Sequence, residues 1–281
     1  MKTFLEFYQQ SLQEKLILYN NDANYGQVVF FAGGAGSGKG FSIQNFINSN
    51  KFKIRDVDEL KTKMMRMPSI KKKYPEIASL TLKNPDDVAK LHAIAKKEGI
   101  PDKQLMGWIS GMKYPETLPN ILFDITMKDL DQVNKYIPIL LSVGYKQENI
   151  HITWVLTDFS VAVVRNRNRE RVVPEDILLQ THKGAATTIG HMLQVGKLPK
   201  GINGSVTVIL NNPSEVTYYD QPSKDGGQKL KVIKDFTYLT LKRSRKPFIS
   251  IKEMEKQTKE KLYSWVSTNA PKTAGVSKLF R

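Results

Sequence analysis

An α/β fold built on a mainly parallel sheet is what the 281-residue sequence predicts, and three observations predict it. Short apolar runs without polar alternation recur along the chain, as strands covered on both faces do. Stretches of helical periodicity separate them, which makes parallel β-α-β crossovers the simplest connection. A glycine-rich segment joins the first apolar run to the helix-like run from Phe41 to Ile47, at the sheet edge where such folds bind ligands.

The elements follow in order. Residues 3–20 place apolar side chains at helical spacing, so a lead-in helix is expected. Gln27-Val28-Val29-Phe30-Phe31-Ala32 reads as the first strand, and Phe52-Lys53-Ile54-Arg55 as a weaker second one that ends in acids. Ile121–Asp124, His151–Leu156 and Val206–Leu210 are three further buried strands, and Leu130–Leu141 and Asp176–Val195 are helices. Residues 61–113 form a long, basic, helical insertion punctuated by Pro75, Pro85 and Pro101. After Asn212-Pro213 a hairpin is expected, with Val216–Tyr219 and Leu230–Ile233 flanking Asp225-Gly226-Gly227. A charged helix over 252–266 and a polar end close the chain, so the expected division is a main domain over 1–220 and a basic extension over 221–281.

Composition removes several function classes. A chain with 40% hydrophobic and 25% charged residues is not wholly disordered. Its longest apolar runs fall far short of the ~18 residues a membrane span needs. The amino terminus turns acidic at Glu6 and polar at Gln9 before any leader-like apolar core, so a cytoplasmic protein without a membrane partner is expected. The absence of cysteine excludes disulfides, thiolate metal sites and a cysteine nucleophile. Net charge is +16, and it is concentrated. Residues 228–281 hold 14 basic and 4 acidic side chains, and Lys61 through Lys73 holds six basic ones and no acid. Such density attracts polyanions, although a solvated basic face has the same composition.

The chemistry is carried by four segments. Gly33-Gly34-Ala35-Gly36-Ser37-Gly38-Lys39-Gly40 lies between strand and helix and satisfies the G-x-x-x-x-G-K pattern. Its glycines let consecutive amides face one concavity, the helix start adds positive potential, and Lys39 reaches terminal phosphates. The Ser or Thr that usually follows the lysine is Gly40 here, with Phe41 next and Ser42 the nearest downstream hydroxyl, a candidate magnesium contact. Asp56-Val57-Asp58 ends the second strand, where one carboxylate suits proton abstraction from a hydroxyl and Asp56 is expected on the substrate side, although Asp56 or Asp58 could instead serve only as a helix cap. Asp124, at the end of the third strand, is placed to support magnesium, with Thr126 and Lys128 beside the acceptor. Arg165, Arg167, Arg169 and Arg171 crowd one segment, and four guanidiniums so close require anions between them. The four histidines show no metal-ligand spacing and receive no role.

Taken in order, these features resemble the zeta-toxin branch of P-loop kinases, whose phosphate loop is also like that of nucleoside monophosphate kinases. The resemblance runs from about Gln27 to Tyr219 and includes Asp56-x-Asp58-x-x-Lys61, Asp124-x-Thr126-x-Lys128, the arginine stretch, Arg171–Asp176 and Ile209-Leu210-Asn211-Asn212. It implies a five-stranded parallel P-loop kinase sheet, ATP as phosphoryl donor, and Asp58 as catalytic base. The family's Glu-Gly-Thr-Gly-Arg strand end is altered here to Asp124, Thr126 and Lys128. The reading is an ATP- and Mg2+-dependent kinase in which Lys39 and the loop amides hold phosphates and Arg165, Arg169 or Arg171 closes over the transferred group. Its expected acceptor is a hydroxyl on nucleic acid or a nucleotide, one version being a hydroxymethylated base in DNA. Two alternatives stay open: a nucleotide-sugar kinase, and a non-catalytic, nucleotide-gated nucleic-acid-binding protein.

Overall fold

The computed structural model describes residues 16–110, 112, 114, 117–168, 172–211, 218–221, 230–233 and 238–248. Every residue of β1 (Val28–Ala32) is buried, as its unbroken apolar sequence requires. Around it lie β2 (Phe52–Asp56), β3 (Asn120–Asp124), β4 (Ile150–Leu156) and β5 (Val206–Leu210). A separate two-stranded antiparallel ladder pairs β6 (Tyr218–Gln221) with β7 (Leu230–Ile233), and β8 (Tyr238–Lys242) returns to the main sheet. The main sheet has the order β2-β3-β1-β4-β5-β8. Its first five strands are parallel, and β8 lies antiparallel to β5.

The five expected strands are therefore present, and the sheet is one strand wider than expected. β8 falls inside the segment read as a basic extension, and its tyrosine, leucines and lysine gave no buried-strand run. Leu241 is nevertheless buried in the core. The Lys242 ammonium is buried beside it and donates to the carbonyls of Asn203, Gly204 and Arg243 and to Asn203 Oδ1, at 3.0–3.3 Å. A lysine so placed satisfies the last loop before β5 and reads as surface charge in a sequence. The ladder of β6 and β7 corresponds to the expected hairpin, whose Asp225-Gly226-Gly227 turn lies outside the described residues, as does the helix expected over 252–266. Residues 1–15 of the expected lead-in helix also lie outside. Residues 16–20 are not helical: Ile17 and Tyr19 are buried, the Ile17 N–H donates to Phe46, and the Tyr19 hydroxyl meets Thr153 Oγ1 at 2.6 Å.

Eight α-helices occur among the described residues. α1 (Lys39–Phe46) follows the glycine loop, and α2 (Val57–Met64), α3 (Pro68–Lys73), α4 (Pro85–Lys97) and α5 (Ile100–Ile109) form the insertion. α6 (Asp131–Ser142), α7 (Phe159–Arg167) and α8 (Glu175–Val195) complete the set. On one sheet face Val28, Phe30, Phe123 and Trp154 pack with residues of α5, α6 and α8. On the other, Val29, Phe31, Leu122 and Val155 pack with Ile43 and Phe46 of α1. The insertion has a core of its own, in which Leu60, Met64, Ile77, Leu91 and Ile94 meet.

Arg55 ties that insertion to the sheet. Its buried guanidinium lies 4.6 Å from the Tyr136 ring centroid and 5.4 Å from that of Phe123. It donates to the Tyr136 hydroxyl at 2.6 Å and to the Pro101 carbonyl on α5 at 3.3 Å. Tyr136 in turn donates to Asp102 at 2.7 Å, so the charge is balanced through a hydroxyl relay. At the opposite end of the sheet His151 is buried and neutral: Nδ1 accepts the Ser205 N–H at 2.9 Å and Nε2 meets Gln27 Oε1 at 3.1 Å. Burial, with the Lys242 charge adding, pushes its pKa down to about 3.

Candidate active site

The carboxyl ends of β1 to β5 converge on one loop. β1 runs into Gly33, β2 ends at Asp56, β3 at Asp124, β4 leads to Thr157 and β5 to Asn211. Asp56 and Asp124 are direct register partners across β2 and β3, and Asp124 is opposite Phe31 of β1. The parallel sheet thus brings residues spread over more than 170 positions to a single edge.

The loop is shaped by where its carbonyls are tied. The Ser37 carbonyl accepts from Thr157 Oγ1 at 2.9 Å, Asn211 Nδ2 at 2.6 Å and Arg165 Nη1 at 3.5 Å. A trans peptide is planar, so fixing this carbonyl toward β4, β5 and α7 turns the Gly38 N–H the opposite way. The Ala35 carbonyl is likewise taken by His182 Nε2 at 2.6 Å, which turns the Gly36 N–H away from α8. Neither amide has a partner among the described residues. Gly36 and Gly38 adopt φ +76° and +86°, left-handed values that glycine reaches without a Cβ penalty. A Cβ on Gly36 would lie 2.5 Å from the Ala162 carbonyl oxygen. The result is a pair of backbone donors turned away from the elements that anchor the loop, followed by the first turn of α1, where helical amides lack intrahelical acceptors.

Two charges stand beside those donors. Lys39 Nζ donates to the Gly33 carbonyl at 2.9 Å and pairs with Asp124 at 3.6 Å. Burial raises the Asp124 pKa to about 6, with Asp56 and Asp58 adding and Lys39 opposing. A carboxylate so desolvated favours a further cation. The Ser42 hydroxyl, in the first turn of α1, is buried and has no partner among the described residues, and the same holds for Ser37 Oγ. A charged and a neutral oxygen fit a hard divalent ion of the magnesium kind, which keeps most of its waters. Among the described residues, no group of three or more His, Asp or Glu could hold a metal ion.

The two carboxylates after β2 separate into different roles. Asp56 accepts the Asp58 N–H at 2.8 Å and caps α2. Asp58 projects with half its side chain exposed and meets the buried Lys61 Nζ at 3.1 Å. After β3, Thr126 offers its carbonyl to the Gly33 N–H at 3.4 Å, so its backbone helps hold the loop. Met127 follows at φ +53°, a left-handed conformation that costs a non-glycine residue about 1–2 kcal/mol. That turn delivers the Lys128 carbonyl to Thr188 Oγ1 at 3.1 Å, leaving the Lys128 side chain exposed.

Among the expected arginines, Arg165 reaches the loop, whereas Arg167 forms an exposed pair with Glu175 at 3.4 Å. Arg169 and Arg171 lie outside the described residues. Asn166 closes the connection that contains them, donating to the Val173 carbonyl at 2.7 Å and accepting its N–H at 3.0 Å. Phe41, expected at the cofactor, packs its partly buried ring against the core on the α1 face of the sheet. A Cβ at Gly40 would meet nothing within 4 Å. Sequence reasoning assigns no role to Thr157, Thr181 or His182 at the loop, and it reaches Asn211 only through the Ile209-Leu210-Asn211-Asn212 turn of the resemblance. Their only sequence signal is a polar residue just after a strand or on a helix face.

No family model and no curated protein sequence matches the chain. Several solved structures are similar to it in fold. One, from the PezAT chromosomal toxin–antitoxin system of Streptococcus pneumoniae, is 14% identical, with a TM-score of 0.45 over 75% of this chain and 78% of that one. The AvrRxo1-ORF1:AvrRxo1-ORF2 structure with ATP is 12% identical, with a TM-score of 0.41 over 98% and 83%. Deoxyadenosine kinase from M. mycoides with bound dATP is 15% identical, with a TM-score of 0.34 over 64% and 89%.

Proposed function

We propose that the chain is an ATP-dependent phosphotransferase of the zeta-toxin-like P-loop kinase kind, transferring the γ-phosphoryl group to a hydroxyl on nucleic acid or a nucleotide. The observation that supports this reading is the pair of loop amides, Gly36 and Gly38, without a partner among the described residues, next to the Lys39–Asp124 ion pair. Such an arrangement suits a polyphosphate, with the Lys39 ammonium available to its terminal charges.

Each residue then has a task. Lys39 exchanges its contacts with Gly33 and Asp124 for phosphate oxygens. Asp124 and Ser42 would hold Mg2+, which when bound neutralises phosphate charge and aligns the transferable group. Asp58 accepts the proton of the acceptor hydroxyl, while Lys61 keeps its carboxylate oriented through the 3.1 Å contact. Arg165, with Arg169 and Arg171, balances the negative charge that spreads over the equatorial oxygens during transfer. Thr126 and Lys128 contribute on the acceptor side. The acceptor class rests on charge: six basic residues between Lys61 and Lys73 begin three residues after Asp58, and the chain carries +16 in total.

The test is incubation with Mg2+ and ATP labelled in the γ-phosphate, with DNA, hydroxymethylated DNA, RNA, nucleosides and nucleotide sugars in separate pools. Label in a nucleic-acid or nucleoside pool is expected. Label confined to nucleotide sugars refutes the acceptor class and leaves the kinase standing. ATP bound but never consumed, in any pool, refutes phosphotransfer itself.

A further inference from the structure

We propose that Thr181 and His182 of α8 are positioning residues that set the curvature of the phosphate loop, and that phosphate affinity depends on their grip. The ligand in this proposal rests on the phosphotransferase reading above; the grip itself does not. Both main-chain groups of Ala35 are taken by consecutive residues of α8. The Ala35 N–H donates to Thr181 Oγ1 at 3.2 Å, and its carbonyl accepts from His182 Nε2 at 2.6 Å. Thr181 Oγ1 spends its own proton on the Leu178 carbonyl at 2.9 Å, which leaves a lone pair for Ala35.

The imidazole also occupies the space of a missing side chain. A Cβ on Gly34 would fall 2.3–2.6 Å from three atoms of the His182 ring, so histidine at 182 in this position requires glycine at 34. Both Thr181 and His182 are buried, and Phe159 meets the imidazole edge-on at 5.9 Å. α8 is itself held in place beyond the grip. Gly184 lies so close to Lys128 that a Cβ would come within 2.6 Å of the Lys128 Cβ and 2.8–2.9 Å of its backbone, and Thr188 Oγ1 donates to the Lys128 carbonyl. One rigid helix therefore spans from the phosphate loop to the turn after β3.

The consequence for binding is geometric. Occupying both groups of Ala35 withdraws its amide from any ligand and turns the next peptide so that the Gly36 N–H faces away from α8. A loop with glycine at four of positions 33–38 loses much conformational freedom on ordering. A fixed point at its middle lowers that cost before the ligand arrives, which is how preorganisation raises affinity.

The first experiment is amide hydrogen exchange on the ligand-free protein. His182→Ala is expected to accelerate exchange across residues 33–38 while the central strands stay protected, and His182→Gln, which keeps a nitrogen donor in place, is expected to restore protection. Calorimetry with ATP and with inorganic triphosphate follows. His182→Ala is expected to weaken both by the same factor, about tenfold, the equivalent of one neutral hydrogen bond. Gly34→Ala is expected to weaken them further, and Gly34→Ala combined with His182→Ala to bind better than Gly34→Ala alone, because the clashing ring is gone. Thr181→Val, which keeps shape and removes the acceptor, supplies a second variant should His182→Ala not fold. Unchanged exchange at 33–38 in a cooperatively folding His182→Ala, or strictly additive losses in the double variant, overturns the proposal. A parent protein that binds neither ATP nor triphosphate refutes the phosphotransferase reading, and the exchange result still decides the grip.

Discussion

Replacing Asp124 by Asn should change the pH dependence of stability in a direction opposite to that of an ordinary ion-paired carboxylate. The Asp124 carboxyl is buried, and its folded pKa of about 6 lies above the free value of 3.8. Between those values the folded protein binds more protons than the unfolded chain, so this group lowers stability as pH rises. At about 1.4 kcal/mol per pH unit, the cost reaches about 3 kcal/mol above pH 6, even with Lys39 at 3.6 Å. His151 acts with the opposite sign. Its folded pKa of about 3 lies below the free 6.5, so its contribution is complete above pH 6.5 and is lost progressively as pH falls toward 3. The two slopes cancel between about pH 4 and 6 in the parent protein. Asp124→Asn removes one of them. Urea unfolding followed by tryptophan fluorescence at pH 4, 5, 6 and 7.5 should therefore give the variant a gain relative to the parent that grows by about 3 kcal/mol across the series. Groups common to both proteins drop out of that difference. A constant difference from pH 4 to 7.5 refutes the reasoning, because a carboxyl that titrates alike in both states leaves no such signature.

The remaining expectations concern single side chains. Lys39→Ala should abolish ATP turnover and leave cooperative unfolding intact, since Lys39 contributes charge at the loop and little to either core; loss of folding without a specific loss of turnover contradicts this. Asp58→Asn should slow transfer by ~10²–10⁴-fold at unchanged ATP affinity, whereas Asp56→Ala should cost about 1 kcal/mol of stability by uncapping α2; steady-state kinetics beside urea melts separate the two, and the reverse pattern means that the roles are exchanged. Tyr136→Phe should destabilise by about 1–3 kcal/mol because it breaks the relay from Arg55 to Asp102 and leaves a buried guanidinium short of a partner; an unchanged urea midpoint refutes the relay.

The sheet was legible because its strands are buried on both faces and so carry unbroken apolar runs. β8 was not, because an edge strand has one packed face and half its residues are free to be polar. The phosphate loop was legible because backbone amides in a concavity demand glycine, a residue type that leaves its mark in any sequence. Its anchors were not. Thr157, Thr181, His182 and Asn211 act through single side-chain bonds to carbonyls far away in the chain, and nothing local distinguishes such a threonine or asparagine from any other. The paired carboxylates were found as a pair, but their division of labour depends on the cap geometry of α2, which spacing alone does not give. Residues 61–113 were read as one helical insertion. That the insertion carries a separate core, fastened through Arg55, follows only from the packing.

The three donors on the Ser37 carbonyl have a bearing on the order in which the molecule acquires its site. Thr157, Arg165 and Asn211 stand 120, 128 and 174 positions away from Ser37 in the chain. A nascent or partly unfolded chain can pair β1 with β3 while the loop above them still lacks its shape, because Asn211 arrives only with β5. On the kinase reading, the loop takes its binding shape only once β5 is in place, although the glycine motif is made early. On the same reading a polyphosphate would select the completed sheet: at a hundredfold excess over its dissociation constant, a ligand adds about 2.7 kcal/mol to a protein that binds it only when folded. Charge repulsion among the basic residues of the insertion and arginine segment raises the demand for that contribution.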